Sequence, residues 1–166
     1  MQLPPFPSVI SRSSASNQEY LDYLNFYFTN TILPKDYQIF DKPVSLSWGK
    51  STDEISDLLW HLVTGGFNQN INELQDSRAQ RLSYIPYMLD FYETNPNEIH
   101  WYYRPRQKSR LIIFTRNGCN RYLCVLNETV QAFTLISAYP PSKKRMKKFI
   151  EEYDAAWKTK TAPPEW

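Results

Sequence analysis

The sequence predicts an α+β fold, with helices first, then a four-stranded antiparallel meander, then a C-terminal helix. Three observations carry this. Apolar spacing follows the helical period up to Tyr92, changes to two between Glu98 and Tyr139, and returns to the helical period from Lys143. The strand-like runs are joined by connections too short for anything but antiparallel neighbours. The 166 residues are 42% hydrophobic and 16% aromatic, enough to build a core without a disulfide or metal.

Residues 1–15 are rich in Pro and Ser and predict an extended, loosely held arm. Ser16-Asn-Gln-Glu19 is a capping box, followed by Tyr20, Tyr23, Leu24, Tyr27 and Phe28 on one helical face; that helix is expected to end before Pro34. A short strand is expected over Val44–Trp48. Ser51-Thr-Asp-Glu54 is a second capping box, predicting a helix with Ile55, Leu58, Leu59 and Leu62 on one side and Gly65-Gly66 as its stop. Asp76-Ser77 caps a third helix bearing Ala79, Leu82, Ile85, Leu89 and Tyr92, kinked or restarted at Pro86, and Asn95-Pro96-Asn97 closes it. The strand runs are Glu98–Arg104, Arg110–Arg116, Arg121–Leu126 and Gln131–Tyr139, with Asn117-Gly118 as a hairpin signal. Pro140-Pro141 ends the last strand. Ser142 caps a helix over Lys143–Trp157, with Met146, Phe149, Ile150, Tyr153 and Trp157 as its apolar stripe. This divides the chain into residues 1–75, an N-terminal extension and helical region, residues 76–158, the helix, sheet and final helix, and a tail, 159–166.

Several function classes find no support. Four glycines permit no Gly-rich phosphate cradle. Cys119 and Cys124, if they share a strand, fall on opposite faces and are not expected to pair; with two well-separated histidines, no metal or cofactor site is expected. No stretch reaches transmembrane length and the N-terminus lacks a signal-peptide pattern, so a cytoplasmic protein without a membrane partner is expected.

Charge is unevenly distributed. From His100 to Lys148 there are eleven cations against the single acid Glu128, a local charge of +10, while the remainder, with eight bases and sixteen acids, carries −8. Such a chain presents one phosphate-attracting surface, or else a solvated face paired with its acidic half. Arg104, Arg106, Lys108 and Arg110, interleaved with Trp101, Tyr102 and Tyr103, combine phosphate-pairing groups with rings on which bases stack. Alternation along the last strand puts Phe133, Leu135, Ser137 and Tyr139 on one face. The opposite face, with Ala132, Thr134, Ile136 and Ala138, is expected to pack on helices, leaving Ser137 and Tyr139 displayed. His100 is a candidate general acid or base. His61, on an apolar helix, is expected to be packed or capped.

The order of Arg78-Ala-Gln-Arg81-Leu-Ser-Tyr-Ile-Pro86, Leu89, Asn95-Pro96-Asn-Glu-Ile99-His-Trp101, Tyr122-Leu-Cys-Val-Leu126 and Phe133-Thr-Leu-Ile-Ser-Ala-Tyr139 resembles phage- and toxin-associated nucleases of the barnase, EndoU, colicin and RelE-like (BECR) superfamily. The resemblance covers roughly residues 76 to 150. It implies a metal-independent endoribonuclease acting on tRNA or mRNA, held by an immunity protein or antitoxin. It places Arg81, Ser137 and Tyr139 facing the RNA, and with His100, singled out above by its own position, these are the catalytic candidates. Arg78, Arg104, Arg106, Lys108, Arg110, Arg116, Arg121, Lys143 and Lys144 become the RNA-binding candidates. The sequence departs from the family in carrying Ser77, Arg78 and Arg81 where a helix-start histidine is common, and Ser137 where threonine is usual. A non-catalytic module binding RNA or an acidic protein, and an interaction protein with an aromatic face, are the alternatives.

Overall fold

A computed structural model describes residues 3–47, 51–52, 55–116 and 120–159, the side chains of 51 and 52 excepted. The chain is mixed α+β. Helix α1 spans Asn17–Tyr27 and runs into a π-helical turn, Phe28–Ile32, that closes ahead of Pro34. Both capping-box bonds form: Glu19 N–H donates to Ser16 Oγ at 3.2 Å, and Ser16 N–H to Glu19 Oε2 at 2.8 Å. A tight hairpin, β1 (Gln38–Ile39) to β2 (Lys42–Ser45), turns through Phe40 and Asp41, both at positive φ (49° and 60°). That conformation is costly for phenylalanine; Tyr92 Oη accepts from Phe40 N–H at 2.9 Å, and the Phe40 ring packs on Tyr92 and Trp101.

The second capping box does not open a helix. Ser51–Thr52 (β3) and Ile55–Ser56 (β4) form a small antiparallel hairpin. Helix α2, Asp57–Thr64, begins later, with Ser56 Oγ accepting from Leu59 N–H at 3.1 Å. Asp53 and Glu54 of the expected box, like Trp48, lie outside the described residues. Gly65 stops α2 at φ 79°. After a 3-10 turn at Ile71–Glu73 come α3 (Asp76–Ala79) and α4 (Tyr84–Phe91). These are two helices, the break falling at residues 80–83, ahead of the kink or restart expected at Pro86. Pro86 stands in the first turn of α4, where amide protons have no helical partner to lose.

Four consecutive antiparallel strands follow: β5 (Ile99–Arg104), β6 (Gln107–Thr115), β7 (Leu123–Glu128) and β8 (Phe133–Tyr139). The sheet is larger than the expected meander, with six strands in the order β1-β2-β8-β7-β6-β5, and β2 runs parallel to β8. The turn between β5 and β6 is shorter than expected, Arg104 pairing directly with Gln107. Asn117-Gly118 and Cys119 lie outside the described residues, while Cys124 is a buried free thiol whose pKa burial pushes up.

Alternation along β8 is broken. Val125 pairs with Ser137 but Leu126 with Leu135, so Ile136 is an extra residue, a bulge. Phe133, Leu135 and Ala138 therefore turn into the main core, while Ser137 and Tyr139 share the opposite face with Val125 and Leu123. The expected split, with Phe133 and Leu135 beside Ser137 and Tyr139, is corrected by that one residue.

Both sheet faces carry helices. The main core joins α1, α2 and α4 to Leu111, Ile113, Leu126, Phe133 and Leu135, so residues from both sides of position 75 share one interior. Helix α5, Lys143–Thr159, lies on the other face, where Met146 and Phe149 pack with Tyr102, Ile112, Phe114 and Leu123. The arm is not loose: Phe6 wedges against Tyr84 and Tyr87, Ser83 Oγ donates to Ser8 O at 2.7 Å, and Ile10 N–H donates to Gln80 O.

Candidate nucleic-acid interface

Among the described residues, strand β8 is paired on its β2 side at Phe133 and Thr134 alone. Helix α2 also packs on β8. His61 Nε2 lies 3.0 Å from Ser137 Oγ, and His61 Nδ1 lies 3.0 Å from Gly66 O. A carbonyl accepts and never donates, so the second contact places the ring proton on Nδ1 and turns the Nε2 lone pair toward the serine hydroxyl. Burial holds the imidazole pKa below its ordinary value, Arg78 adds to this, and the Gly66 bond opposes it. His61 is thus a neutral base facing a hydroxyl, an arrangement suited to accepting a proton.

Two residues on, the Tyr139 ring has the guanidinium of Arg78 at 5.2 Å and that of Arg145 at 5.6 Å. Arg78 is largely internal. Its Nε donates to Leu62 O at 3.0 Å, and its Nη2 to His61 O at 3.1 Å and Ala138 O at 3.4 Å. It closes the C-terminus of α2 and ties it to β8.

Of the other expected site residues, His100 stands elsewhere. His100, Phe114, Leu123 and Tyr139 form one row across the sheet. His100 is therefore three strand spacings from Tyr139, about 14 Å. Its ring packs between Phe114 (5.5 Å) and Tyr153 (5.3 Å). Burial and Arg116 lower its pKa, against Asp154. Arg81 donates to Ser77 O at 2.7 Å, within its own turn. Arg104 meets Glu152 at 3.3 Å, seven residues beyond the Arg145 that sits by Tyr139, or about 10 Å along α5. His100 and Arg104 do not converge with Ser137 and Tyr139. His61, expected to be packed or capped, is the group the fold brings to Ser137; the Gly65-Gly66 stop directly after its helix was the available sign that a backbone carbonyl turns back there.

The cations form a surface strip. Lys143, Lys144, Arg145, Lys147 and Lys148 are all exposed on the first turns of α5, and Arg106 and Lys108 are exposed at the β5–β6 turn. Arg110 and Arg121 are half-buried. Of the cations in the His100–Lys148 segment, only Arg104 (to Glu152) and Arg116 (to Asp154, 3.4 Å) form ion pairs among the described residues. A cleft of about 590 Å³ between the turn and α5 is lined by Arg104, Pro105, Arg106, Gln107, Lys148 and Glu152. On the other flank of α5, Arg121, Lys143, Met146, Lys147, Ile150 and Glu151 line a groove of about 350 Å³. The aromatic residues interleaved with the first cations are not a stacking platform. Tyr102 is buried and donates to Glu152, Trp101 lies under Trp157, and Tyr103 packs on the main core.

No group of His, Cys, Asp or Glu able to hold a metal occurs among the described residues, and no helix among them is long and apolar enough to cross a membrane. The fold and surface define an α+β domain with a six-stranded sheet clasped between helices and a cationic strip along α5. No protein-family model, curated protein or solved structure matches the chain.

The two histidines set a pH dependence. Both have folded pKa values below the ordinary 6.5. On acidification the unfolded chain therefore takes up protons first. Their contribution to stability is complete above about pH 6.5 and is lost as pH falls toward the folded values. Urea midpoints are expected to be flat from pH 7 to 8 and to fall between about pH 6.5 and 5, with a shallower fall in His100→Phe.

Proposed function

We propose that this chain binds RNA as a polyanion along α5 and the β5–β6 turn. The observation that carries the reading is the run of exposed cations on α5 with no carboxylate partner among the described residues. An exposed cationic strip binds by releasing counterions from the phosphates, so affinity falls with salt by a logarithmic slope of about 0.7 per phosphate contacted on a single strand. Anisotropy titrations of a labelled RNA strand across a salt series test this; an affinity that is absent at low salt, or indifferent to salt, removes the reading.

A second reading, metal-independent cleavage of that RNA, is favoured by the 3.0 Å approach of His61 to Ser137. A 2′-hydroxyl taking the place of the serine hydroxyl would hand its proton to Nε2. The freed oxygen attacks the adjacent phosphorus, and the 5′-oxygen leaves with a proton from solvent, giving a 2′,3′-cyclic phosphate. The expected result is cleavage in EDTA by the wild type, reduced about a hundredfold or more in His61→Ala and unchanged in His100→Phe. RNA left intact by concentrated wild-type protein would leave binding as the whole function.

A further inference from the structure

We propose that Phe67 is a nucleobase-stacking subsite, so that the RNA is held with at least one base unpaired; this rests on the polyanion reading above. Phe67 is 81% exposed, although burying such a ring is worth roughly 2 kcal/mol. The chain has buried or covered its other aromatics near the cations: Tyr102, Trp101 and Tyr103 are engaged as described, and Tyr139 lies against two guanidinium groups. Phe67 keeps most of its surface exposed while packing on a histidine. Its ring lies nearly parallel to the His61 imidazole, centroids 5.0 Å apart with 20° between planes. The neighbouring Gly66 carbonyl is bonded to the same imidazole.

Contacts run continuously from this ring to the cationic strip. His61 meets Ser137; Tyr139 is on the same face of β8 two residues on; and Arg145, the third residue of α5, lies over Tyr139. A strand whose phosphates follow α5 is thereby led toward an aromatic surface at the end of the strip. Every base has a π-face, so stacking there tolerates any sequence and contributes about 1–3 kcal/mol per base. The ligand class is single-stranded or looped RNA, since a paired base keeps its faces within its own stack.

The test uses the full chain and two probes of equal length and charge, an RNA oligonucleotide and its abasic counterpart. The wild type is expected to prefer the base-bearing strand about tenfold, Phe67→Ala to lose that preference without losing abasic-strand affinity, and Phe67→Trp to keep it. A thermal midpoint equal to wild type confirms that each variant is folded. If Phe67→Ala retains the preference, or weakens both strands alike, the subsite is refuted while the polyanion reading stands. If neither strand binds the wild type, both fall together.

Discussion

Replacing Lys144, Lys147 and Lys148 together by glutamate is expected to weaken RNA binding by about a hundredfold or more at physiological salt and to flatten its salt dependence. All three side chains are exposed, and the α5 residues that hold the helix to the sheet are others, Met146 and Phe149. The variant therefore keeps its packing. A carboxylate at 144 interacts well with the helix dipole, while those at 147 and 148 face Glu151 and Glu152 one turn on, so the thermal midpoint is expected to fall by no more than a few degrees. Affinity and stability then move independently, which identifies a binding surface. Arg104→Gln supplies the contrast. Its charge is already engaged by Glu152, so the loss of affinity is expected to be several-fold smaller than for the triple variant. Equal affinity of wild type and triple variant, in anisotropy at matched salt, would remove α5 from the interface.

The elements that could be read from the sequence are those specified by local patterns. The Ser16–Glu19 box, the Gly65 stop, the antiparallel succession of the last four strands and the helix after Pro141 are set within a few residues and appear as expected. What could not be read depends on distant pairing. The attachment of Lys42–Ser45 in parallel to β8 joins segments some ninety residues apart and leaves no local trace. The bulge at Ile136 is equally silent, since Phe133-Thr-Leu-Ile-Ser-Ala-Tyr139 alternates well enough to read as a regular strand. One misplaced residue there reverses which side chains accompany Ser137. The site followed the same division. The cationic run was visible as composition, but the partner of Ser137 was not, because His61 lies 76 residues earlier and its role comes from how α2 meets a strand edge. His100, adjacent in sequence to the aromatic and basic cluster, faces the row that α5 covers.

Arg78 separates the two ways of reading its region. Counted as an RNA contact, its loss would weaken binding and leave the fold intact. Its surroundings predict the reverse. The guanidinium donates to three backbone carbonyls, those of His61, Leu62 and Ala138, and lies beside Gly65, where an added Cβ would come within 3.0 Å of Nη1. Methionine at this position removes every donor and leaves the last carbonyls of α2 facing a partly buried space. Charged hydrogen bonds contribute about 1.5–3 kcal/mol each, and water entering the gap recovers part of that. Arg78→Met is therefore expected to lower unfolding free energy by about 3 kcal/mol in urea titrations. Arg78→Lys is expected to recover less than half of the loss, since a point ammonium cannot reach three carbonyls from the geometry of a planar fork. RNA affinity, measured per folded molecule below the transition, is expected to change by no more than a few-fold. Should Arg78→Met instead leave stability untouched while abolishing binding, the guanidinium contacts RNA and the clamp between α2 and β8 is held by something else.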